Sequence, residues 1–168
     1  MDSQIPLISM NVRFSRLSRI LSIQAVYALN VLYPVTLHGD EIGQVLYDVM
    51  HVGMFYLPKV VDTVQDINWL LPVVKEVIST QNNLDSYLLK YLTENWKIER
   101  VAKTLLAILR VGIYEIIKDT DIHLGAMIHD YLEITKMFNH YQEVCFVNSI
   151  LDKAAKEIKC LHNLTTFE

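Results

Sequence analysis

The chain has 168 residues, of which 52% are hydrophobic and 20% charged, so it can bury a sizeable core as one domain and is not a disordered protein. Five glycines and four prolines are too few for a turn-rich β-sandwich, and they favour an all-α fold. The net charge of −4 argues against a globally basic surface for nucleic acid, so any site for a polyanion must be local.

The hydrophobic pattern predicts six or seven helices. Residues 1–12 show no period, so we expect a mobile N-terminal arm there, then a single domain at 13–160 and a C-terminal tail at 161–168. The predicted helices have apolar residues at three- and four-residue steps, and they cover 15–32, 41–54, 64–80, 84–92, 97–117, 124–138 and a last segment through 144–158.

Local signals add detail to these helices. Ser15 is a candidate N-cap of the first one, and residues 34–40 are predicted to form a loop. Pro72 should be either a first-turn residue or a kink, and the pair Asn82-Asn83 indicates a turn. The predicted helix 97–117 has the broadest apolar face, which is typical of a helix at the centre of a bundle.

The cysteine content and the absence of targeting signals indicate where the protein works. Cys145 and Cys160 would lie about 22 Å apart on one continuous helix, too far for a disulfide, which fits a reducing compartment. The first residues do not match a signal peptide, and no apolar run reaches the length of a membrane span. The sequence therefore predicts a soluble cytoplasmic protein without a membrane partner.

Positive charge is concentrated in two parts of the chain. Residues 1–39 contain three basic residues and one acidic residue, and residues 97–118 contain five and two. Arg13, Arg16 and Arg19 are three residues apart and would stay on one side of a helix, which makes them the best candidates for phosphate contacts. The alternative is a solvated helix start in which the stem of Arg16 lines the edge of the core.

No pattern supports catalysis or a cofactor. His129 and Glu133 form a single i, i+4 pair, which is not a metal site, and Asp119 and Asp121 are explained by a charged turn. Phosphate-binding glycine motifs, a nucleophile elbow and a CxxC pair are all absent from the sequence. We therefore expect no enzyme activity, no metal and no cofactor.

Four stretches resemble the bacterial transcription antitermination factors of the NusB family. They are RLSRILSIQAVY at 16–27, AILRVGIYEII at 107–117, IHDYLEITKMF at 128–138 and FVNSILDKAAKEI at 146–158, in the order in which the family has them. The resemblance implies an all-α fold of two three-helix bundles packed roughly perpendicular to each other. It also implies a heterodimer with the small-subunit ribosomal protein NusE that reads single-stranded boxA RNA and joins the RNA polymerase antitermination complex.

The resemblance assigns candidate RNA-binding residues in three groups. Local phosphate contacts and aromatic stacking suffice to hold single-stranded RNA, so a net acidic chain is compatible with this function. The groups are the arginines Arg13, Arg16 and Arg19, the helix-one residues Gln24 and Tyr27, and Phe146 with Asn148. From periodicity alone, Phe146 is more often a core residue than a stacking platform.

The sequence departs from the family pattern at several positions. The arginine cluster is less dense, so its electrostatic contribution should be weaker. Cys145 replaces a frequent lysine, His129-Asp130 an Asn-Glu pair, and Leu105-Leu106 a charged pair. The two leucines would either bury more of the bundle or enlarge an apolar partner surface.

Two other functions remain open from sequence alone. One is a detached RNA-binding domain of a ribosomal RNA cytosine methyltransferase, whose first domain resembles the same fold. The other is an oligomerising protein, for example a homodimer, that has lost RNA binding.

Overall fold

The structure is a computed structural model that describes residues 14–32, 41–48, 64–92, 97–119, 122–138 and 140–165. The predicted arm at 1–12, the predicted loop at 34–40 and the end of the second predicted helix at 49–54 lie outside the described residues.

The described residues form seven α-helices and include no strand, which confirms the all-α prediction. The helices are α1 Arg16–Leu32, α2 at 41–48, α3 Val64–Ser79, α4 Gln81–Tyr91, α5 Lys103–Lys118, α6 Leu124–Met137 and α7 Val144–Thr165. Two short 3₁₀ turns, Ile98–Arg100 and Tyr141–Glu143, precede α5 and α7.

Helix α5 lies at the centre, as its broad apolar face predicts. Every residue from Leu105 to Lys118 is buried, and α5 packs against α1, α3, α4, α6 and α7. At Gly112 an added Cβ would lie 2.9 Å from Leu151 Cδ2, so glycine permits the close approach of α5 and α7. Leu105 and Leu106, which replace a charged pair of the family pattern, are both buried. They therefore add to the core and not to a partner surface.

Helix α5 connects most of the helix packing. Helices α5, α6 and α7 pack on one another, while α1 packs on α3 and also on α5. Helix α4 packs on α3, α5 and α7. The perpendicular arrangement of two bundles stays a prediction of the resemblance.

The predicted helix at 97–117 is in fact two elements. Val101 and Ala102 have extended backbones, with φ −75° and ψ 132° and with φ −55° and ψ 136°. Buried Val101 therefore extends the apolar stripe without belonging to the helix. Hydrophobic periodicity continues through Val101, and neither residue is a glycine or proline that would mark a break in the helix.

Two further boundaries differ from the prediction, and one of the two alternatives for Pro72 is excluded. Asn82-Asn83 lie in the first turn of α4, where asparagine is tolerated, and the break between α3 and α4 falls at Thr80. Pro72 lies in the middle of α3 and is not a first-turn residue. Helix α7 continues to Thr165, within the segment 161–168 that the sequence assigned to a tail.

Candidate nucleic-acid interface

The start of α1 is fixed by two serines that cap each other. The Ser18 backbone N–H donates to Ser15 Oγ at 3.1 Å, and the Ser15 N–H donates to Ser18 Oγ at 2.8 Å. This reciprocal arrangement satisfies backbone donors that a helix start leaves without partners. The predicted N-cap at Ser15 is confirmed, and it sets the first turn from which Arg16 and Arg19 project.

Arg16 lies at the surface, clamped by a carboxylate of α6. Its Nε and Nη2 donate to Asp130 Oδ1 at 3.0 and 2.5 Å, and 52% of its side chain is exposed. Its Nη1 has no hydrogen-bond partner within the described parts of the chain. The guanidinium is therefore held in one orientation and still presents donors to solvent.

Arg19 is an interior residue, which corrects its assignment as a phosphate contact. Only 7% of its side chain is exposed. Its Nε and Nη2 donate to Glu115 at 2.9 and 2.5 Å. Its Nη1 donates to Asp130 Oδ2 at 2.7 Å, and the guanidinium lies 5.7 Å from the ring centroid of Tyr131. With these donors occupied and the head group buried, Arg19 orders α1 against α5 and α6.

The partner of Arg19 is a fully buried glutamate. Glu115 also accepts a hydrogen bond from the Tyr131 hydroxyl at 2.8 Å. Burial raises the pKa of the Glu115 carboxyl, although Arg19 and Tyr131 act in the opposite direction. Burial lowers the pKa of Arg19, but the bonds to Glu115 and the charges of Glu115, Tyr131 and Asp130 together outweigh it and leave the pKa raised. Both pKa values are raised, which favours the charged form of Arg19 and the neutral form of Glu115, and the bidentate geometry supports a formed ion pair.

The two arginines and the two carboxylates form one network, which we call the Arg16–Arg19 cluster: Arg16, Arg19, Glu115 and Asp130. Asp130 bridges it, since one of its oxygens binds Arg16 and the other binds Arg19. The two positive and two negative charges of the cluster cancel. The arginines at the start of α1 therefore attract a polyanion much less than their number suggests.

Gln24 and Tyr27 lie further along α1. At 1.5 Å per residue, they are about 12 and 16 Å from Arg16 along the helix axis. Tyr27 is 39% exposed, whereas Gln24 is half-buried and its Oε1 is enclosed without a hydrogen-bond partner among the described residues. Tyr27 is thus accessible to a ligand, and Gln24 has an unsatisfied acceptor at the edge of the core.

Phe146 and Asn148 lie in the first turns of α7 but do not share a face. Phe146 is half-buried and packs against the core, while Asn148 is exposed and the intervening Val147 is fully buried. Residues two apart on a helix project about 160° from each other, so the two side chains cannot both meet one base. Arg13, the remaining candidate, lies outside the described residues.

Two of the five cations in the later positively charged segment are paired inside the fold. Arg110 donates to both oxygens of Asp85 at 2.7 Å, and Lys118 forms an ion pair with Glu76 at 2.5 Å. The exposed cations of residues 97–118 are therefore Lys97, Arg100 and Lys103. Net charge along the sequence did not distinguish the buried pairs from the exposed cations.

Other candidate sites are not assembled in the structure. Within the described residues, no three histidine, cysteine or acidic side chains come together as a metal site, and His129 is exposed. Cys145 and Cys160 are free and exposed. No helix in the described part of the chain is long and apolar enough to cross a membrane.

Glu115 and Asp130 are the residues that sequence reasoning missed. Glu115 lies inside a run of fourteen buried positions on α5, and a carboxylate there requires a cationic partner. That rule could have predicted a buried arginine or lysine. It could not have chosen Arg19, because three-residue spacing places Arg13, Arg16 and Arg19 on similar sides of the helix.

Comparison with known proteins shows consistent similarity to one family. The sequence model of the NusB family matches residues 16–156 of this chain. The transcription antitermination protein NusB of Agrobacterium fabrum is 32% identical over 149 residues, covering 84% of this chain and 83% of its own length. The protein of the same name from Bartonella henselae is 30% identical over 149 residues, with coverage of 86% and 88%.

Solved structures show the same fold at lower identity. NusB of T. maritima aligns with a TM-score of 0.68 at 22% identity, covering 87% of this chain and 94% of that one. A chain from a complex of NusB and NusE with double-stranded RNA aligns with a TM-score of 0.67 at 18% identity, covering 84% and 96%. The similarity extends over nearly the whole of both neighbours.

Proposed function

Because this chain belongs to the NusB family of non-enzymatic transcription antitermination factors, we propose that it binds single-stranded boxA RNA of ribosomal RNA transcripts together with the ribosomal protein NusE. In this role it joins the RNA polymerase antitermination complex in the cytoplasm. The antitermination relatives match over most of their own length, which favours this function over that of a detached methyltransferase domain.

The observation that best supports RNA binding is the geometry of Arg16. Its guanidinium is half-exposed and fixed by Asp130 through Nε and Nη2, which leaves Nη1 without a hydrogen-bond partner among the described residues. A fixed guanidinium loses less side-chain freedom when it binds a phosphate oxygen than a mobile one does. Helix α6, which contains Asp130, packs on both α1 and α7, so it lies between the helix of Arg16 and the helix of Phe146.

We expect the chain alone to bind boxA RNA weakly and NusE to strengthen the binding. The Arg16–Arg19 cluster is neutral and the whole chain has a net charge of −4, so phosphate neutralisation by this chain is limited. A joint surface with NusE would supply the remaining contacts, and a coupling of about 5- to 150-fold is typical of linked sites. Fluorescence anisotropy with a labelled RNA, with and without saturating NusE, measures the gain.

Equal affinity with and without NusE in the same buffer would contradict the cooperative mechanism. The same titration distinguishes RNA forms, because the neighbouring NusB and NusE complex was solved with double-stranded RNA. Unlabelled single strand should compete better than the matching duplex. A homodimer that binds neither form would instead support the oligomerising alternative.

Replacing Arg16 with glutamine should weaken RNA binding without unfolding the protein. The lost phosphate contact should lower the slope of log affinity against log salt concentration by about 0.7. The Arg16–Asp130 pair is exposed, so its loss should cost about 0–1 kcal/mol of folding free energy. Salt-resolved titration and thermal unfolding measure the two effects on one sample.

The matched control is Arg100→Gln, which removes an exposed arginine from the 3₁₀ turn before α5. Both variants lose one positive charge, so only a local contact distinguishes them. If Arg100→Gln lowered the salt slope as much as Arg16→Gln, Arg16 would have no specific role.

A further inference from the structure

The outer face of α7 presents a row of lysines that no part of the proposed site uses. Lys153, Lys156 and Lys159 follow one another at three-residue steps, and all three are exposed. The opposite face of α7 is buried against the core through Val147, Ile150, Leu151, Ala154 and Ile158. The lysine row therefore lies along a helix whose orientation is fixed by packing.

Most of the charge on this face is available to a ligand. Lys153 and Lys159 form no ion pair within the described part of the chain. Lys156 pairs with Asp152 at 2.6 Å, but the two side chains are 75% and 47% exposed. Such a surface pair contributes little, so a phosphate can replace its carboxylate.

Glu157 follows Lys153 by four residues and projects about 40° from it, but its carboxylate is bound elsewhere. Glu157 accepts hydrogen bonds from Tyr91 at 2.6 Å and Lys90 at 3.1 Å, both on α4. These contacts hold its carboxylate against α4. The row is thus an exposed positive strip, in contrast to the neutral Arg16–Arg19 cluster.

The row is continuous with the α7 end of the proposed RNA site. Asn148 and Lys159 are eleven residues apart, so they project within about 20° of each other and lie about 16 Å apart along the helix. Lys153 and Lys156 lie between them along the axis and are also exposed, but they project about 140° and 80° from Asn148, so the lysines wind across the exposed half of the helix. A strand that passes Asn148 and crosses this exposed half of α7 can therefore meet the lysines one after another.

We infer that the lysine row of α7 is a phosphate track for RNA that continues beyond the boxA element, an inference that rests on the proposed function. Lysine ammonium groups bind phosphates as point charges and need no particular base sequence. The track would add affinity and salt dependence without sequence specificity. It would also supply positive charge that the start of α1 lacks.

The test uses the full chain and single-stranded RNA probes. One probe is a boxA core of about a dozen nucleotides, and two others extend it by about eight uridines at the 5′ or the 3′ end, within the usual range of single-strand site sizes. Affinity is measured over a series of salt concentrations for the wild type and for the triple variant Lys153→Gln, Lys156→Gln, Lys159→Gln. The matched control is Lys97→Gln, Arg100→Gln, Lys103→Gln, which removes three exposed positive charges elsewhere.

We expect the wild type to bind one extended probe more tightly and with a steeper salt dependence than the core. The α7 variant should lose up to about 2 from the salt slope on that probe and should bind the core almost as the wild type does. The control variant should retain the gain from the extension. All three proteins should melt at similar temperatures, since the substituted side chains are exposed.

Three results would overturn the inference. If the wild type bound the core probe but bound neither extended probe more tightly, the track would be rejected and the proposed function would stand. An equal loss in the α7 and control variants would mean that only net charge matters. Failure of the wild type to bind any probe, even with saturating NusE, would reject the proposed function together with the track, and an acidic protein partner would then be the better match for the lysines.

Discussion

Replacing Arg19 with methionine is expected to lower the free energy of unfolding by about 3–5 kcal/mol, the largest effect of any single substitution considered for this protein. Arg19 is the cationic partner of Glu115, whose side chain is completely buried. Methionine keeps much of the unbranched stem but leaves the Glu115 carboxylate with only the Tyr131 hydroxyl. A buried carboxylate without a cation is costly, because the interior does not replace its hydration.

The pH dependence of this loss identifies its cause. Burial already raises the pKa of Glu115 above its ordinary 4.5, and removing Arg19 removes the main contacts that oppose the shift. A raised pKa means that the folded state binds a proton more readily than the unfolded state, so stability increases as the pH falls through the folded-state pKa. The difference between Arg19→Met and the wild type should therefore shrink at acidic pH.

Two further variants separate the buried charge from the loss of a contact. Arg16→Met also removes an arginine bound to Asp130, but at the surface, and should cost only about 0–1 kcal/mol. The double variant Arg19→Met, Glu115→Leu removes both buried charges and should recover part of the stability. Chemical denaturation at neutral and acidic pH measures all of these. A pH-independent loss that the double variant does not relieve would show that Arg19 contributes through packing alone.

The sequence predicted the helices well because apolar periodicity reports which side of a helix is buried. The capped start of α1 at Ser15 and the central position of α5 were both correct. The break at Val101 and Ala102 was not predictable, because two ordinary residues adopt an extended backbone only under tertiary packing. The position of Thr80 between α3 and α4 was missed for a similar reason, since asparagine is accepted in a first helical turn.

The candidate site was less predictable because its chemistry depends on which charges meet across helices. Arg16 and Arg19 look equivalent in sequence, yet one is half-exposed and the other is a core residue. The difference comes from Glu115, which is 96 positions away from Arg19 along the chain. A count of basic residues therefore overstated the charge available at the start of α1 and gave no weight to the lysines of α7.

The second large effect is expected at Phe146, where leucine and alanine should separate stacking from packing. Phe146 is half-buried against the core at the start of α7. Either substitution removes the aromatic face, and if that face stacks on a base, RNA binding should weaken by about 1–3 kcal/mol with little change in the salt slope. Phe146→Ala should also destabilise the fold, by less than the roughly 3–5 kcal/mol typical of a fully buried phenylalanine.

Phe146→Leu decides between the two roles, because leucine keeps most of the apolar contact and has no ring. Phe138→Leu is the matched control, since Phe138 is also half-buried against the core but lies at the end of α6. Both leucine variants should lose a similar, small amount of stability, and only Phe146→Leu should lose RNA affinity. If Phe146→Leu bound RNA as the wild type does while Phe146→Ala melted early, the ring would be a core side chain. RNA binding would then depend on the contacts that Arg16 and α7 make with RNA phosphates.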